Sequence, residues 1–97
     1  MTAYWIARVT VTDPDVYGEY AKLAGPALAK HGGRFLARGG KCQHFEGKEH
    51  LRNVIVEFPS FEAAVTCYTS EDYAEALALA LKASVRDVVI VEGAPPS

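Results

Sequence analysis

The sequence predicts an α+β fold in which a four-stranded antiparallel sheet carries helices on one face. Three observations indicate it: short apolar segments of strand length, longer segments with apolar residues at helical spacing, and glycine, proline and serine signals between them. The predicted order is strand, helix, two strands, helix pair, strand. This is the ferredoxin-like βαββαβ arrangement with an extra helical segment before the last strand. Chain length predicts a single domain, residues 1–97.

The first strand is predicted over Tyr4 to Val11, and the first helix begins soon after it. Asp13 can cap the free backbone amides of that helix, and Pro14 suits its first position because no partner is needed there for an amide hydrogen. The apolar stripe of the helix comprises Val16, Tyr17, Tyr20, Leu23, Ala24, Ala27 and Leu28. This spacing, about 3.6 residues, predicts that the stripe faces the sheet.

Glycines and prolines mark the following boundaries. Gly25-Pro26 predicts a kink inside the first helix, because proline removes a backbone donor and crowds the preceding turn. Gly32 or Gly33 is expected to end that helix in the left-handed conformation. The second strand is predicted over Arg34 to Arg38, with a bulge or bend at Gly39-Gly40.

The second half of the chain repeats the alternation of strand and helix. Its predicted elements are resumed pairing at Gln43 to Glu46, a polar turn at Gly47 to Arg52, a strand at Asn53 to Phe58, a helix after Pro59-Ser60, a helix from Glu71 to about Lys82, a strand from Val85 to Glu92 and a short mobile tail. The inner faces of the two helices are predicted as Phe61, Ala64, Val65 and Tyr68, then Tyr73, Ala76, Leu77, Ala80 and Leu81. Thr69-Ser70 separates these helices.

Both faces of the predicted sheet are apolar. Val88-Val89-Ile90-Val91 is apolar without interruption, and Trp5 and Ile6 are large side chains on opposite faces. Helices cover only one face, so the other would expose on the order of several hundred Å², more than monomers usually tolerate. We therefore expect a symmetric homodimer with the two sheets face to face. The alternative is a monomer whose second face binds a ligand or is partly covered by the tail.

Composition and charge argue against several classes of partner. The formal charge of −2 and the pI near 5.9 give no reason to bind nucleic acid or an anionic membrane. No apolar run approaches the ~18 residues that span a bilayer, and the start of the chain does not resemble a signal peptide. We expect a cytoplasmic protein in which Cys42 and Cys67 are reduced thiols. No phosphate loop or dinucleotide fingerprint is present, so no cofactor is expected.

Several motifs together resemble a known family. They are Asp13-Pro14 with Tyr17 and Tyr20, His31-Gly32-Gly33-Arg34-Phe35-Leu36-Ala37-Arg38-Gly39-Gly40, Glu46-Gly47, Glu57-Phe58-Pro59-Ser60-Phe61-Glu62-Ala63-Ala64, Ser70 with Tyr73, and Val89-Ile90-Val91-Glu92-Gly93. With these, the chain resembles the small bacterial proteins of domain-of-unknown-function family 1330, in the dimeric α/β-barrel superfamily.

The resemblance implies a ferredoxin-like protomer and a dimeric α/β barrel. It implies no activity, because the family lacks an assigned one. Superfamily relatives include cofactor-independent monooxygenases, haem enzymes, small dehydratases and lactone isomerases, so the fold does not define the function. Family members often carry an arginine in the third helix where this chain has Ala80. An anion-binding role for that arginine is therefore not carried over.

Three residues are candidates for proton transfer. His44 and Glu46 would share one face of a resumed strand and form a base and its orienting partner. With His31 or His50 they could hold a divalent cation, but no complete ligand set has a recognised spacing, so no metal site is expected. His50 falls in the polar turn and is expected to be exposed to solvent. His31 ends the first helix, where it would either interact with the helix dipole or transfer protons at the mouth of a pocket.

The candidates for ligand binding are Arg34, Tyr17, Tyr20 and Tyr68. Arg34, which is expected to share a strand face with Arg38, would form an ion pair with a glutamate or clamp a ligand carboxylate. Aromatic residues at helical spacing usually belong to the core, but buried hydroxyls need partners. Tyrosines that converge between helices and sheet would line an apolar pocket with a few polar points.

The sequence therefore supports one main hypothesis and two alternatives. The first is a small homodimeric enzyme, independent of cofactors, that acts on a small apolar or aromatic compound. The second is a non-catalytic ligand-binding or stress-response module that uses the same pocket. The third is a dimeric scaffold whose interior is filled by its own side chains.

Overall fold

The fold was analysed in a computed structural model, which describes residues 1–95. Its elements are β1 (Ala3–Val11), α1 (Pro14–Lys30), β2 (Arg34–Arg38), β3 (Arg52–Phe58), α2 (Phe61–Tyr68), α3 (Glu71–Ala83) and β4 (Ser84–Glu92). The strands form one antiparallel sheet in the order β2-β3-β1-β4. This confirms the predicted ferredoxin-like arrangement with a helix pair before the last strand. The last two residues of the predicted tail, 96–97, lie outside the described part of the chain.

The helices begin where the capping residues predict. The side chains of Asp13, Ser60 and Ser70 each accept a hydrogen bond from a backbone amide three residues later. The helix α1 runs through Pro26 as one element. Gly32 follows it with φ +86°, which confirms a left-handed glycine at this end.

The helix-facing side of the sheet forms the core. Trp5 pairs with Val56 on one side and with Ile90 on the other. Its ring lies 5.9 Å from that of Phe58 and 5.1 Å from that of Tyr73, measured between centroids. The residues that alternate with Trp5 on β1 point to the opposite face, as the period of two requires.

A bulge in β2 overturns one expectation about the strand faces. Phe35 pairs with Val56, but Ala37 pairs with Ile55, so Leu36 is the extra residue. This insertion turns Arg38 to the helix side, whereas Arg34 stays on the outer side. The prediction that Arg34 and Arg38 share a face was therefore wrong. The bulge lies upstream of Gly39-Gly40, where the sequence predicts a bulge or a bend, and the backbone bends at Gly39.

The chain between β2 and β3 does not resume pairing. Residues 43–46 have no regular secondary structure, so the predicted strand over Gln43 to Glu46 was wrong. Gly39 adopts φ +71°, and its amide bonds to the carbonyl of Asn53 at 2.9 Å. After this contact the backbone leaves the sheet edge, because a left-handed residue does not continue an extended strand.

The inner faces of α2 and α3 are narrower than predicted. In α2, Ala64 is buried as predicted, but Phe61 and Val65 flank the contact surface and Cys67 is buried instead. In α3, Leu81 is 69% exposed and Ala83 is buried in its place. Small side chains occupy the closest contacts because they let the helices pack close to the rest of the core. Larger residues lie at the margins of these contacts.

The outer face of the sheet carries an apolar patch beside charged residues and is not covered by helices. Leu36, Val85, Val89 and Val91 are each about half exposed in the single chain. Ile6 lies between Ile55 and Val89 in the same face. Within residues 1–95, the helices lack the combination of length and apolarity needed to cross a membrane.

Candidate functional site

A narrow cavity lies between α1 and the helix-facing side of the sheet. The rings of Trp5, Tyr17, Tyr20 and Phe35 form its aromatic walls. The open volume of the cavity is about 30 Å³, so its side chains nearly fill it. Side chains of arginine also contribute to the lining, so access to the aromatic walls depends on where those long side chains lie.

The tyrosines of α1 reach the cavity because they are three residues apart on the inner stripe. The ring centroids of Tyr17 and Tyr20 are 5.1 Å apart. The hydroxyl of Tyr20 lies 3.0 Å from that of Tyr73, which α3 contributes from behind. Burial raises the pKa of both Tyr17 and Tyr73 above the ordinary value, and the neighbouring Tyr20 raises that of Tyr73 further. Both phenols are therefore neutral hydrogen-bonding groups near pH 7.

Arg86 connects the sheet to these tyrosines. It donates through Nη1 to the hydroxyl of Tyr20 at 3.2 Å and through Nη2 to that of Tyr73 at 2.9 Å. Its guanidinium also lies 5.3 Å from the ring centroid of Tyr20. These contacts hold a cation against aromatic surface, where such a charge interacts favourably with the ring electrons.

Two further arginines line the same cavity from neighbouring strands. The guanidinium of Arg38 lies 3.9 Å from the ring centroid of Phe35, and that of Arg52 lies 5.4 Å from the ring centroid of Tyr17. The Nε atom of Arg52 is buried and has no hydrogen-bond partner among the described residues. Burial raises the pKa of Tyr17, and the neighbouring Arg52 lowers it by a smaller amount.

The lining of the cavity contains no carboxylate within residues 1–95. The ion pairs of the described chain join Lys30 and His31 to Asp72, Arg34 to Glu57, and His50 to Asp87. The three cavity arginines take part in none of them. The cavity is therefore cationic and its walls are aromatic.

The structure separates the predicted ligand-binding residues. Tyr17 and Tyr20 line the cavity. Tyr68 packs against Trp5 at 5.5 Å between ring centroids but lines a different, shallow groove with Val88 and Ile90. Arg34 lies on the outer face of the sheet, where its Nη2 donates to Glu57 Oε1 at 2.9 Å. The ion-pair alternative for Arg34 is the one observed.

The predicted proton-transfer residues lie away from this cavity. His31 Nε2 is 3.0 Å from Asp72 Oδ2, and Lys30 Nζ is 2.9 Å from Asp72 Oδ1. Hydrogen bonds from Lys30 and then His31 lower the pKa of Asp72. The imidazole of His31 therefore pairs with a carboxylate on α3 at the molecular surface.

His44 and Glu46 line a separate groove of about 300 Å³ at the outer face, beside Arg8. They do not share a strand face, because this segment is not a strand. His44 Nε2 lies 2.8 Å from the carbonyl oxygen of Gly47. No group of three or more His, Cys, Asp or Glu residues is placed to hold a metal ion within residues 1–95.

The buried histidine of the protein is His50, which was predicted in an exposed turn. Its Nδ1 lies 2.9 Å from Thr10 Oγ1 and its Nε2 lies 3.1 Å from Asp87 Oδ2. Its side chain is 1% exposed, which makes the predicted solvent exposure wrong. Both ring nitrogens are satisfied because β1 and β4 bring these two partners together from distant parts of the sequence.

Sequence reasoning missed the cavity arginines. One signal was present in β4. Arg86 lies two residues before Val88 and four before Ile90, so it shares their helix-facing side of the strand. Arg52 was placed in a polar turn but is the first residue of β3. Arg38 required knowledge of the bulge, which the residue pattern of β2 does not disclose.

The comparisons with known proteins identify a family and a fold. No curated protein matches the chain in sequence. Among solved structures, the RPA0582 protein of unknown function from Rhodopseudomonas palustris is 19% identical, with a TM-score of 0.76 over 98% of this chain and 84% of that chain. A dimeric protein of unknown function and ferredoxin-like fold from Bacteroides fragilis is 13% identical, with a TM-score of 0.64 over 95% of this chain and 96% of that chain.

A third similar structure is SnoaB, a cofactor-independent oxygenase from Streptomyces nogalater. It is 11% identical, with a TM-score of 0.66 over 98% of this chain and 95% of that chain. At these identities the structural matches establish the fold alone. The sequence itself matches the domain of unknown function DUF1330 over residues 2–94. The chain therefore belongs to the DUF1330 family.

Proposed function

We propose that the protein is a homodimer that binds a small aromatic or apolar compound in the cavity between α1 and the sheet. The observation that carries this proposal is a set of aromatic walls joined to polar donors at one place. Such a combination is typical of small-molecule sites, in which apolar surface provides affinity and a few polar groups fix the orientation.

The aromatic walls determine how a ligand would be held. Tyr17 and Tyr20 line the cavity from α1, and Trp5 lines it from the sheet. A flat ligand would enter as the arginine side chains at the lining move outward. Arginine stems make such movement easy because several rotatable bonds separate the guanidinium from the backbone.

The chemistry of the lining favours binding over proton abstraction. Within residues 1–95 no histidine or carboxylate lines the cavity, and the raised pKa values of Tyr17 and Tyr73 keep these phenols protonated. These groups can donate hydrogen bonds to an oxyanion but are poor bases at neutral pH. The ligand-binding alternative therefore accounts for the geometry without a catalytic base.

A second candidate function is cofactor-independent turnover of the bound compound. The fold of the cofactor-independent oxygenase SnoaB supports it. So does the Arg86–Tyr20 pair, whose donors would stabilise negative charge that develops on a substrate oxygen. In this scheme dioxygen is the oxidant and the substrate itself reduces it, so no other electron donor is needed, and the protein supplies orientation and electrostatic stabilisation.

The proposed dimer joins two outer sheet faces. The half-exposed Val89 and Val91 and the neighbouring Ile6 would be buried there, which removes apolar surface from water. The dimeric description of the ferredoxin-like protein from Bacteroides fragilis supports this assembly. The cavity lies on the opposite side of the sheet, so each protomer would keep its own site.

Binding can be followed through Trp5, the single tryptophan of the chain. We expect quenching or a shift of its fluorescence on titration with small aromatic compounds. Ala21→Leu would fill the cavity from α1 and abolish the response. Ala78→Leu, on the exposed side of α3, is the matched control and should bind normally. Equal binding by both variants would contradict the proposed site.

The two candidate functions are distinguished in the same samples. Oxygen consumption and a change in ligand mass would establish turnover, whereas binding with unchanged ligand would establish a binding module. His44→Ala should leave both measurements unchanged, because His44 lies in the separate groove at the outer face. Loss of turnover in this variant would place the chemistry outside the cavity.

A further inference from the structure

We propose that the compound held in the cavity carries a carboxylate, and that Arg52 and Arg86 are the counter-charges that select it. This inference rests on the proposed function and deepens it by naming the class of ligand. It assigns the anion-binding role to arginines on the helix side of the sheet, whereas the sequence pattern had suggested Arg34, which lies on the outer side.

The register of the sheet places the two arginines in one row. Val9 pairs with Arg52 of β3 on one side and with Arg86 of β4 on the other. All three residues therefore point to the helix side of the sheet. The two arginine backbones are separated by two strand spacings, about 10 Å. Their side chains are long enough to converge on one small anion above Val9.

Neither charge has an anionic partner within the described chain. Arg86 is satisfied by the neutral hydroxyls of Tyr20 and Tyr73, and Arg52 keeps a buried Nε without an acceptor. The acidic residues Glu19 of α1 and Glu75 of α3 line another groove. A partly buried cation without a counter-charge is unfavourable, so its presence in the fold points to an anion that binds there.

The shape of the donors favours a carboxylate. A guanidinium presents its N–H groups in a planar fork, which matches the two oxygens of a carboxylate. The unpartnered Nε of Arg52 belongs to such a fork. The narrow aromatic walls next to it suit a flat body attached to a compact planar head. The class is therefore a small aromatic or apolar carboxylic acid.

The test uses acids and their uncharged counterparts. Benzoate, phenylacetate and trans-cinnamate would be compared with their primary amides by calorimetry and Trp5 fluorescence. We expect each acid to bind at least tenfold more tightly than its amide, because hydrogen bonds between charged groups are stronger than those to a neutral acceptor. Added salt should weaken binding of the acids and leave the amides nearly unchanged.

Variants identify the residues responsible. Arg52→Gln and Arg86→Gln should each reduce acid affinity at least tenfold and change amide affinity less than threefold. Arg34→Gln is the matched control, because Arg34 lies on the outer face with Glu57, and it should bind acids normally. Equal affinity for acid and amide would overturn this inference and leave the proposed function intact. Failure of both members of every pair to bind would overturn the proposed function.

A second measurement does not require a ligand. Arg52→Met removes the unpaired charge and keeps the packing of a long side chain, so it should raise the Tm of the ligand-free protein by a few degrees. Replacing a functional residue commonly raises stability, because selection retains such a residue for its function even where it destabilises the fold. A lower Tm in Arg52→Met, with acid affinity unchanged, would show a purely structural arginine and overturn the inference.

Discussion

Arg86 of β4 donates a hydrogen bond of 2.9 Å to the hydroxyl of Tyr73 on α3. Tyr73 is fully buried, and its hydroxyl also lies 3.0 Å from that of Tyr20. The contact ties the sheet, α3 and α1 together at the rear of the cavity. It therefore couples the stability of the fold to the positions of the groups that would meet a ligand.

Tyr73→Phe should lower the free energy of unfolding by about 1–3 kcal/mol, because it leaves partners of a buried hydroxyl unsatisfied. Urea denaturation measures the change. Tyr68→Phe is the control, since the Tyr68 hydroxyl has no hydrogen-bond partner within residues 1–95 and its ring contacts would remain. The control should change the free energy by less than about 0.5 kcal/mol. Similar losses in both variants would contradict the role of the Arg86–Tyr73 contact.

The two thiols should differ sharply in reactivity. Burial raises the pKa of Cys67 from 9.0 to about 11, whereas Cys42 is exposed. A disulfide reagent at pH 8 should therefore label one thiol quickly, and Cys42→Ser should remove this fast phase. Because the folded pKa of Cys67 is raised, the stability linked to its neutral thiol is full below pH 9 and falls as the pH approaches 11. Rapid labelling of two thiols in the native protein would contradict the buried position of Cys67.

Asp72→Asn should destabilise the protein near neutral pH but not in acid. Lys30, followed by His31, lowers the pKa of Asp72 below its ordinary value of 3.8. A lowered folded pKa contributes stability above the unfolded pKa and loses that contribution as the pH falls through the folded value. The Tm difference between wild type and variant should be small at pH 7, because the group is at the surface, and should shrink further as the pH falls below 3.8. A difference that grows on acidification would contradict this linkage.

Gly39→Ala should destabilise the fold by about 1–2 kcal/mol, because Gly39 has φ +71° and an alanine pays a steric penalty there. Its Cβ would also collide with the guanidinium of Arg52. Affinity for aromatic acids should therefore fall together with stability. Gly40→Ala is the neighbouring control, with no atom near the added Cβ, and should be nearly neutral. Denaturation and calorimetry on both variants provide the comparison.

Val89→Asp should weaken the proposed dimer by at least tenfold in dissociation constant. Val89 is 54% exposed on the outer face, where it pairs with Ile6. A carboxylate buried there between apolar surfaces would lack a partner. Light scattering over a dilution series measures the assembly. Leu81→Asp, on the exposed side of α3, should keep the wild-type state. A wild-type protein that scatters as a single chain at micromolar concentration would exclude the proposed dimer.

Much of the fold could be predicted from local patterns. The helix caps at Asp13, Ser60 and Ser70 act between neighbouring residues, so the sequence displays them directly. The alternation in β1 likewise assigns Trp5 to the core. Family resemblance was confirmed over residues 2–94. In the site, Tyr17 and Tyr20 were found from their spacing on one helix.

The remaining features depend on contacts between distant segments. The exposed faces of α2 and α3 differed from prediction because closest packing selected Cys67 and Ala83 over larger neighbours. His50 is buried because β1 and β4 supply its partners. His44 and Glu46 were predicted on a strand, but the edge of the sheet ends before them. None of these outcomes follows from the periodicity of a single segment.

The amino-acid sequence by itself determined the order of elements, their capping and the apolar character of both sheet faces, because these properties arise within a few residues of one another. Only the tertiary structure decided that Arg38, Arg52 and Arg86 meet at one cavity and that Arg34 does not. Strand register and the extra residue at Leu36 set that grouping. Both depend on how separate strands pair, and a one-residue difference in pairing moves a side chain to the opposite face.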